Sequence, residues 1–203
     1  MYEIRTDLAL EAREKFEEDN VEVKGVILEE KDAGSDMHIS KVVIQTENGA
    51  KIMGKPKGTY ITIEAPNMME EDEGYHREIS KQLAKMIKQL ISWEKEDCAI
   101  LVAGLGNREV TPDALGPNVV DNLFITRHMI KEFGKYALGE AHTSKISGIV
   151  PGVMAQTGME SLEIIQGIVK ETKPDYLFVI DALAARSVKR LNRTIQITDA
   201  GIH

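Results

Sequence analysis

From residue 74 the hydrophobic period of this chain changes, and that change limits what it can fold into. Before it, the apolar residues run in short β-branched stretches. Val21-Glu22-Val23-Lys24-Gly25-Val26-Ile27-Leu28 starts one strand, Ile39-Ser40-Lys41-Val42-Val43-Ile44 continues, and Thr59-Tyr60-Ile61-Thr62-Ile63 alternates as a half-buried strand does. Short polar links join them, and Asn48-Gly49 predicts a hairpin turn, because Asn and Gly tolerate positive φ. Residues 21–65 are therefore expected to form an antiparallel β section. After the change, Ile79, Leu83, Met86, Ile87, Leu90 and Ile91 share one helical face. The acidic run Glu70-Glu71-Asp72-Glu73 suits the start of that helix.

The next apolar stretch, Cys98-Ala99-Ile100-Leu101-Val102-Ala103, is too short for a helix and is followed by glycines. It reads as a buried parallel strand. Tyr176-Leu177-Phe178-Val179-Ile180 reads as a second, and Thr194-Ile195-Gln196-Ile197-Thr198 as a third. Thr157-Gly158-Met159-Glu160 fits a capping box ahead of a helix that carries Leu162, Ile165 and Val169. Strand, helix and strand in alternation predict an α/β fold: a mostly parallel central sheet with helices on both faces, plus the antiparallel section. A chain of 203 residues suits one domain, residues 1–203.

Composition narrows the function. A net charge of −8 leaves no broad basic face for phosphate neutralisation, and 5% aromatic residues provide little for base stacking, so no direct nucleic-acid partner is expected. No apolar run approaches the roughly 20 residues that span a bilayer, and the first residues lack the basic flank and apolar core of a signal peptide. With Cys98 as its one cysteine, the chain has no internal disulfide and no paired-cysteine metal site. These features predict a cytoplasmic protein with no membrane contact and no cofactor.

In open α/β sheets, chemistry gathers in the loops after the carboxyl ends of strands. Two such loops each carry an aspartate: Asp113, in the segment from Gly104-Leu105-Gly106-Asn107 to Gly116-Pro117, and Asp181, in Asp181-Ala182-Leu183-Ala184-Ala185-Arg186. Two neighbouring carboxylates can divide the work, one activating water and the other supplying a proton, which suits peptide hydrolysis. Either aspartate read alone is more often a cap or turn former than a catalyst. Gly104-Leu105-Gly106 is half of a dinucleotide fingerprint, but Glu109 stands where its third glycine belongs. Asp32-Ala33-Gly34 reads as a turn; Asp199-Ala200-Gly201, after a strand, stays open between turn and site. Histidines 38, 76, 128, 142 and 203 show no metal-binding spacing. Arg186, Lys189, Arg190 and Arg193 read as a solvated basic face, with Arg186 close enough in sequence to Asp181 to contact an acidic substrate group.

Thr6-Asp7-Leu8-Ala9-Leu10-Glu11, the Gly104–Pro117 segment, Pro151-Gly152-Val153-Met154-Ala155-Gln156-Thr157-Gly158-Met159-Glu160 and the segment from Asp181 to Arg186 together resemble the germination protease of endospore-forming bacteria. The likeness covers nearly the whole chain, and the Pro151–Gly158 stretch is its most specific part. It implies an endopeptidase of the spore interior that begins the degradation of small acid-soluble spore proteins, made as a zymogen, trimmed at its N-terminus and assembled as a homotetramer. It also implies Asp113 and Asp181 as the catalytic pair. The family's substrates are cut beside Glu, which makes Arg186 a candidate substrate contact. Thr6–Glu11 is similar in order to those substrates, so self-processing between Asp7 and Leu8 is expected, with residues 1–7 as propeptide. The same residues also read as the start of a surface helix capped by Asp7. The family is longer than this chain, so a C-terminal truncation is expected.

A more distant likeness is to the hydrogenase maturation endopeptidases, which share the Gly-x-Gly-Asn turn, an acid six residues after the Asn, and a later Asp-Ala. Their two acids act with a histidine on a metal of the target protein, and no histidine here takes that third place. A metal-dependent maturation peptidase is thus the second reading, and a non-catalytic nucleotide- or protein-binding module the third.

Overall fold

A computed structural model describes residues 6–18, 23–34, 36–93, 97–134, 136, 138–139 and 143–202. Residues 1–5 of the expected propeptide, together with Val21, Glu22, His142 and His203, lie outside the described residues. In chain order the elements are α1 (Ala9–Glu18), β1 (Val26–Asp32), β2 (His38–Ile44), α2 (Glu47–Met53), β3 (Gly58–Glu64), α3 (Glu73–Leu90), β4 (Ala99–Gly104), α4 (Leu115–Asp121), α5 (Arg127–Phe133), β5 (Lys145–Ile149), α6 (Met154–Thr157), α7 (Ser161–Thr172), β6 (Tyr176–Ile180) and β7 (Thr194–Thr198). The chain forms two compact units. One runs to Ser92 and resumes at Leu183; the other is Trp93–Ala182.

The first unit is built on a four-stranded antiparallel sheet in the order β1-β2-β3-β7. Its register brings Ile39 opposite Ile63 and Ile61 opposite Ile197. On one face Ile39, Ile61 and Ile63 pack with Met86, Leu83 and Leu90 of α3. On the other, Val42, Ile44 and Tyr60 pack with Ala9 of α1 and Met53 of α2. Alternation in β3 therefore does not mark a half-buried strand: Tyr60, Ile61, Thr62 and Ile63 are all buried, because helices cover both faces. The helix face expected from Ile79 onward is the face that α3 buries, and Asp72 of the acidic run caps it, accepting the Tyr75 N–H at 3.0 Å.

The expected hairpin at Asn48-Gly49 is instead a helix, α2. Thr46 Oγ1 accepts the Gly49 N–H at 3.0 Å and caps its start, and Gly54 ends it with a left-handed φ of +62°. Gly49 is used for its size: a Cβ there would sit 3.1 Å from Val26 and 3.3 Å from the Gly25 carbonyl. The hairpin of this sheet lies between β1 and β2, where Gly34 and Asp36 take positive φ and Ala33 and Met37 exchange backbone bonds with their neighbours across the turn. Asp32, read as a turn residue, ends β1 and accepts from His38 at 3.0 Å.

The second unit holds a three-stranded parallel sheet in the order β5-β4-β6. β4 and β6 are the two apolar runs of the sequence. The third parallel strand is not residues 194–198, which pair antiparallel with β3 in the other unit, but β5. Lys145-Ile146-Ser147-Gly148-Ile149 lacks a continuous apolar run, and its glycine is used for size: a Cβ on Gly148 would meet Val120 at 2.9 Å and Ile125 at 3.1 Å. Thr126 fastens β5, donating to the Ser144 carbonyl at 2.6 Å and accepting the Ile146 N–H at 2.9 Å. Cys98 is buried beside Ser144, as a small core residue should be.

The capping box before α7 falls three residues later than the sequence suggested. Glu160 is the N-cap and its N–H donates to Glu163 at 2.8 Å. Thr157 closes α6, with Gly158 in a left-handed conformation directly after it. Ile165 is the buried residue of α7, whereas Leu162 is exposed. No described helix is long and apolar enough to cross a membrane.

Candidate active site

The loop after β4 is a backbone fold made possible by glycine. Gly106 has φ +108°, and a Cβ on it would lie 2.0 Å from the Asp113 carbonyl oxygen. A Cβ on Gly104 would lie 2.2 Å from the Gly116 carbonyl. One on Gly116 would lie 2.3 Å from Leu105 O and 2.5 Å from Ile180 O. The chain's own carbonyls thus lie against the Gly104-Leu105-Gly106 turn, at distances that only glycine allows.

Asp113 ends a single 3₁₀ turn, Thr111–Asp113, opened by Pro112. The Asn107 N–H donates to both its carboxylate, at 2.9 Å, and its carbonyl, at 3.1 Å. The Asp113 N–H donates to Val110 O at 2.8 Å. The carboxylate is therefore held from below by the loop that carries it.

Asp181 follows β6 directly, and its Oδ1 accepts the Ala182 N–H at 2.8 Å. β4 and β6 are parallel neighbours with Gly104 in register with Ile180, and Leu105 N–H donates to Ile180 O at 2.8 Å. The structure thus brings both aspartate loops to the carboxyl ends of adjacent strands, with Gly116 packed against the residue that precedes Asp181.

A cleft of about 370 Å³ opens beside this loop, lined by residues 106–109 and 150–152 with Gln156 and Thr157. Neither aspartate is in its lining; Asp113 is joined to it through Asn107. Arg108 is on its wall and pairs with Asp121 at 2.8 Å. Pro151, Gly152, Gln156 and Thr157 of its lining belong to the Pro151–Glu160 stretch, which the sequence marked as specific without assigning it a task. The missed signal was Gly152, with φ +76°, next to side chains able to hydrogen-bond across the loop.

Arg186 belongs to the other unit. There its N–H donates to Glu11 at 2.7 Å, and the Ser187 N–H donates to the same carboxylate at 2.9 Å. The basic group around it is not uniformly solvated: Arg190 is largely buried, grips Glu14 through both terminal nitrogens at 2.7 and 2.6 Å, and reaches Glu64 at 2.6 Å. Those carboxylates, Glu14 foremost, push its guanidinium well above its ordinary value. Burial pushes the Glu11 carboxyl up, but hydrogen bonds from Thr6, Ser187 and Arg186 and the Arg190 charge outweigh it and hold it below its ordinary value.

Asp7 is tied to a distant part of its own unit. Its carboxylate accepts the Ala184 N–H at 2.7 Å, its own N–H donates to Ala184 O at 2.8 Å, and its carbonyl accepts from Gln196 at 3.0 Å. Leu8 is 0% exposed. Asp199 is structural: its carboxylate accepts the Thr59 N–H at 2.7 Å and closes the β3–β7 edge. Among the described residues no three His, Cys, Asp or Glu side chains are grouped as a metal set.

The sequence profile described as germination protease matches residues 3–203. The chain is 49% identical over 200 residues to a germination protease of Caldanaerobacter subterraneus subsp. tengcongensis, covering 98% of this chain and 60% of that protein. To the germination protease of Priestia megaterium it is 46% identical over 212 residues, covering 100% of this chain and 56% of the relative. To one from Clostridium perfringens it is 44% identical over 203 residues, with 100% and 62% covered. The chain spans about three-fifths of the length of these relatives.

Proposed function

Because the chain belongs to the germination protease family, we propose that it carries the catalytic pair of an endopeptidase that begins the breakdown of small acid-soluble spore proteins in the cytoplasm of the germinating spore. The observation that carries the reading is the pairing of β4 with β6, which sets the Asp113 and Asp181 loops side by side at strand ends. In this reading one carboxylate takes a proton from water as it attacks the peptide carbonyl, and the other delivers a proton to the leaving amine. The chain's own residues suffice for this division of labour, so no cofactor is invoked.

The active assembly in this proposal is a homotetramer of the full-length protein, and Arg186 pairs with the substrate Glu beside the cut bond. Activation is self-cleavage between Asp7 and Leu8. That bond lies in a segment held by Ala184 and Gln196 with Leu8 buried, so the cut follows local release of residues 6–11. N-terminal sequencing of active full-length protein checks it: the mature chain begins at Leu8. A different start, or full activity without trimming, overturns this part.

The activity is tested with full-length protein and a small acid-soluble spore protein, with and without chelator. Cleavage that survives the chelator supports the aspartate pair. Cleavage abolished by it, or absent altogether, overturns the reading. For Arg186, Arg186→Ala should lose more on Glu-containing than on Gln-containing peptides; equal losses would make it a structural residue.

A further inference from the structure

Each of the three parallel strands ends in a different piece of this site. β4 leads to the Asp113 loop, β6 to Asp181, and β5 to the segment Pro151–Ser161. That last segment is bonded to itself. Ser161 Oγ donates to Gly152 O at 3.2 Å. Thr157 Oγ1 lies within hydrogen-bond reach of the Val153 and Met159 carbonyls, at 3.3 and 3.1 Å, and accepts the Met159 N–H at 3.2 Å. Gly152, at φ +76°, leaves room for Gln156: a Cβ there would sit 3.2 Å from Gln156 Oε1.

The braced Gln156 then reaches across the cleft. Its Nε2 donates to Asn107 Oδ1 at 3.2 Å. The same Oδ1 accepts the Glu109 N–H at 3.0 Å, so the Asn107 side chain is fixed from both sides. The Asn107 N–H is the donor that holds the Asp113 carboxylate. Two contacts, Gln156 to Asn107 and Asn107 to Asp113, therefore link the wall of the cleft to Asp113.

We propose that Gln156 is a positioning residue for Asp113: braced by the self-bonded 151–161 segment, its amide fixes Asn107, and Asn107 orients the Asp113 carboxylate. The inference rests on the reading of Asp113 as catalytic. Gln156 touches no reacting atom in it. Its contribution is geometric, because a carboxylate must be aimed within a fraction of an ångström to act on water.

The test uses the full-length protein and two readouts. Hydrogen exchange at the Asn107 and Glu109 amides reports the loop whether or not the protein cleaves anything. Gln156→Met keeps the side chain's length and removes the donor. It should speed exchange at both amides and lower kcat about tenfold, the scale of one neutral hydrogen bond, with KM unchanged. Gln156→Lys restores a donor and should stay near the starting rate. The double variant Gln156→Met/Asn107→Ala should be no slower than Asn107→Ala alone, because both changes cut the same chain. Unchanged exchange in Gln156→Met, additive losses in the double variant, or a loss in KM alone would each overturn the inference. If the unaltered protein cleaves no spore protein, the proposed function fails while the exchange result still decides what Gln156 does.

Discussion

The two units differ in what makes their tightest contacts. In the unit built on the antiparallel sheet, carboxylates bind the fold together: Glu11 holds two backbone amides, Glu14 and Glu64 grip Arg190, and Asp199 closes a sheet edge. In the parallel-sheet unit, tight geometry comes from backbone lying on backbone, at Gly104, Gly106 and Gly116, and Asp113 is held by a main-chain N–H. A side chain buried in an ion network is committed to stability. One held at a loop end by a single donor nitrogen keeps lone pairs for chemistry. The comparison separates aspartates and glutamates by what surrounds them, where the sequence shows only the same carboxylates.

The largest effect is expected at the aspartates. Asp113→Asn and Asp181→Asn keep shape and remove a base, so cleavage should fall roughly 10²–10⁴-fold while the thermal midpoint barely moves. A folded variant with near-normal cleavage, measured on full-length protein, would mean that the parallel-sheet unit is not the one specialised for chemistry.

Gly106→Ala tests whether that unit's backbone packing sets the geometry. The new Cβ would lie 2.0 Å from the Asp113 carbonyl at a φ of +108°, so the loop must shift. Activity should drop about 100-fold, with a stability cost of about 1–3 kcal/mol. Kinetics and denaturant unfolding on the same sample check both numbers.

The opposite profile is expected in the other unit. Glu11→Ala strips two amides of their acceptor and leaves Arg190 with one carboxylate fewer, at a cost of about 3 kcal/mol in unfolding. Hydrogen exchange at Arg186 and Ser187 should rise with it.

Acid sharpens this further. A carboxyl whose folded value is lowered contributes stability above its ordinary value of 4.5 and loses it as pH falls through the lowered folded value. Acid unfolding should therefore begin below pH 4.5 with exchange at Arg186 and Ser187, and Glu11→Ala should remove that part of the acid dependence. The smallest effect is at His38. The hydrogen bond to Asp32 raises it, burial opposes this, and Glu30 adds to the rise. Its contribution is full below its ordinary value of 6.5 and lost as pH climbs through the raised folded value. In His38→Gln that slight alkaline loss of stability should vanish from the pH profile of unfolding.

What the sequence determined by itself was local. The apolar runs of β4 and β6, the face of α3 and the glycines after β4 are short-range patterns, because strand and helix periods are set by backbone geometry within a few residues. The two loops that carry the aspartates were legible for the same reason: Asp181 directly follows one apolar run, and Asp113 lies in the loop after another. Partnership was not legible. Thr194–Thr198 has the composition of a parallel core strand, yet it joins β3 antiparallel, and Lys145–Ile149 has no apolar run, yet it completes the parallel sheet. Asn48-Gly49 lies in helix α2, not a hairpin, and Gly49 packs against Val26, a contact between residues 23 positions apart. Arg190 and Glu11 looked like surface charges until folding brought residues more than 170 positions apart into one cluster. Gln156 and Asn107, 49 positions apart, meet only because β4 and β5 are neighbours ending on the same side. Long-range pairing depends on how whole faces bury against one another, and no local window of sequence contains both faces.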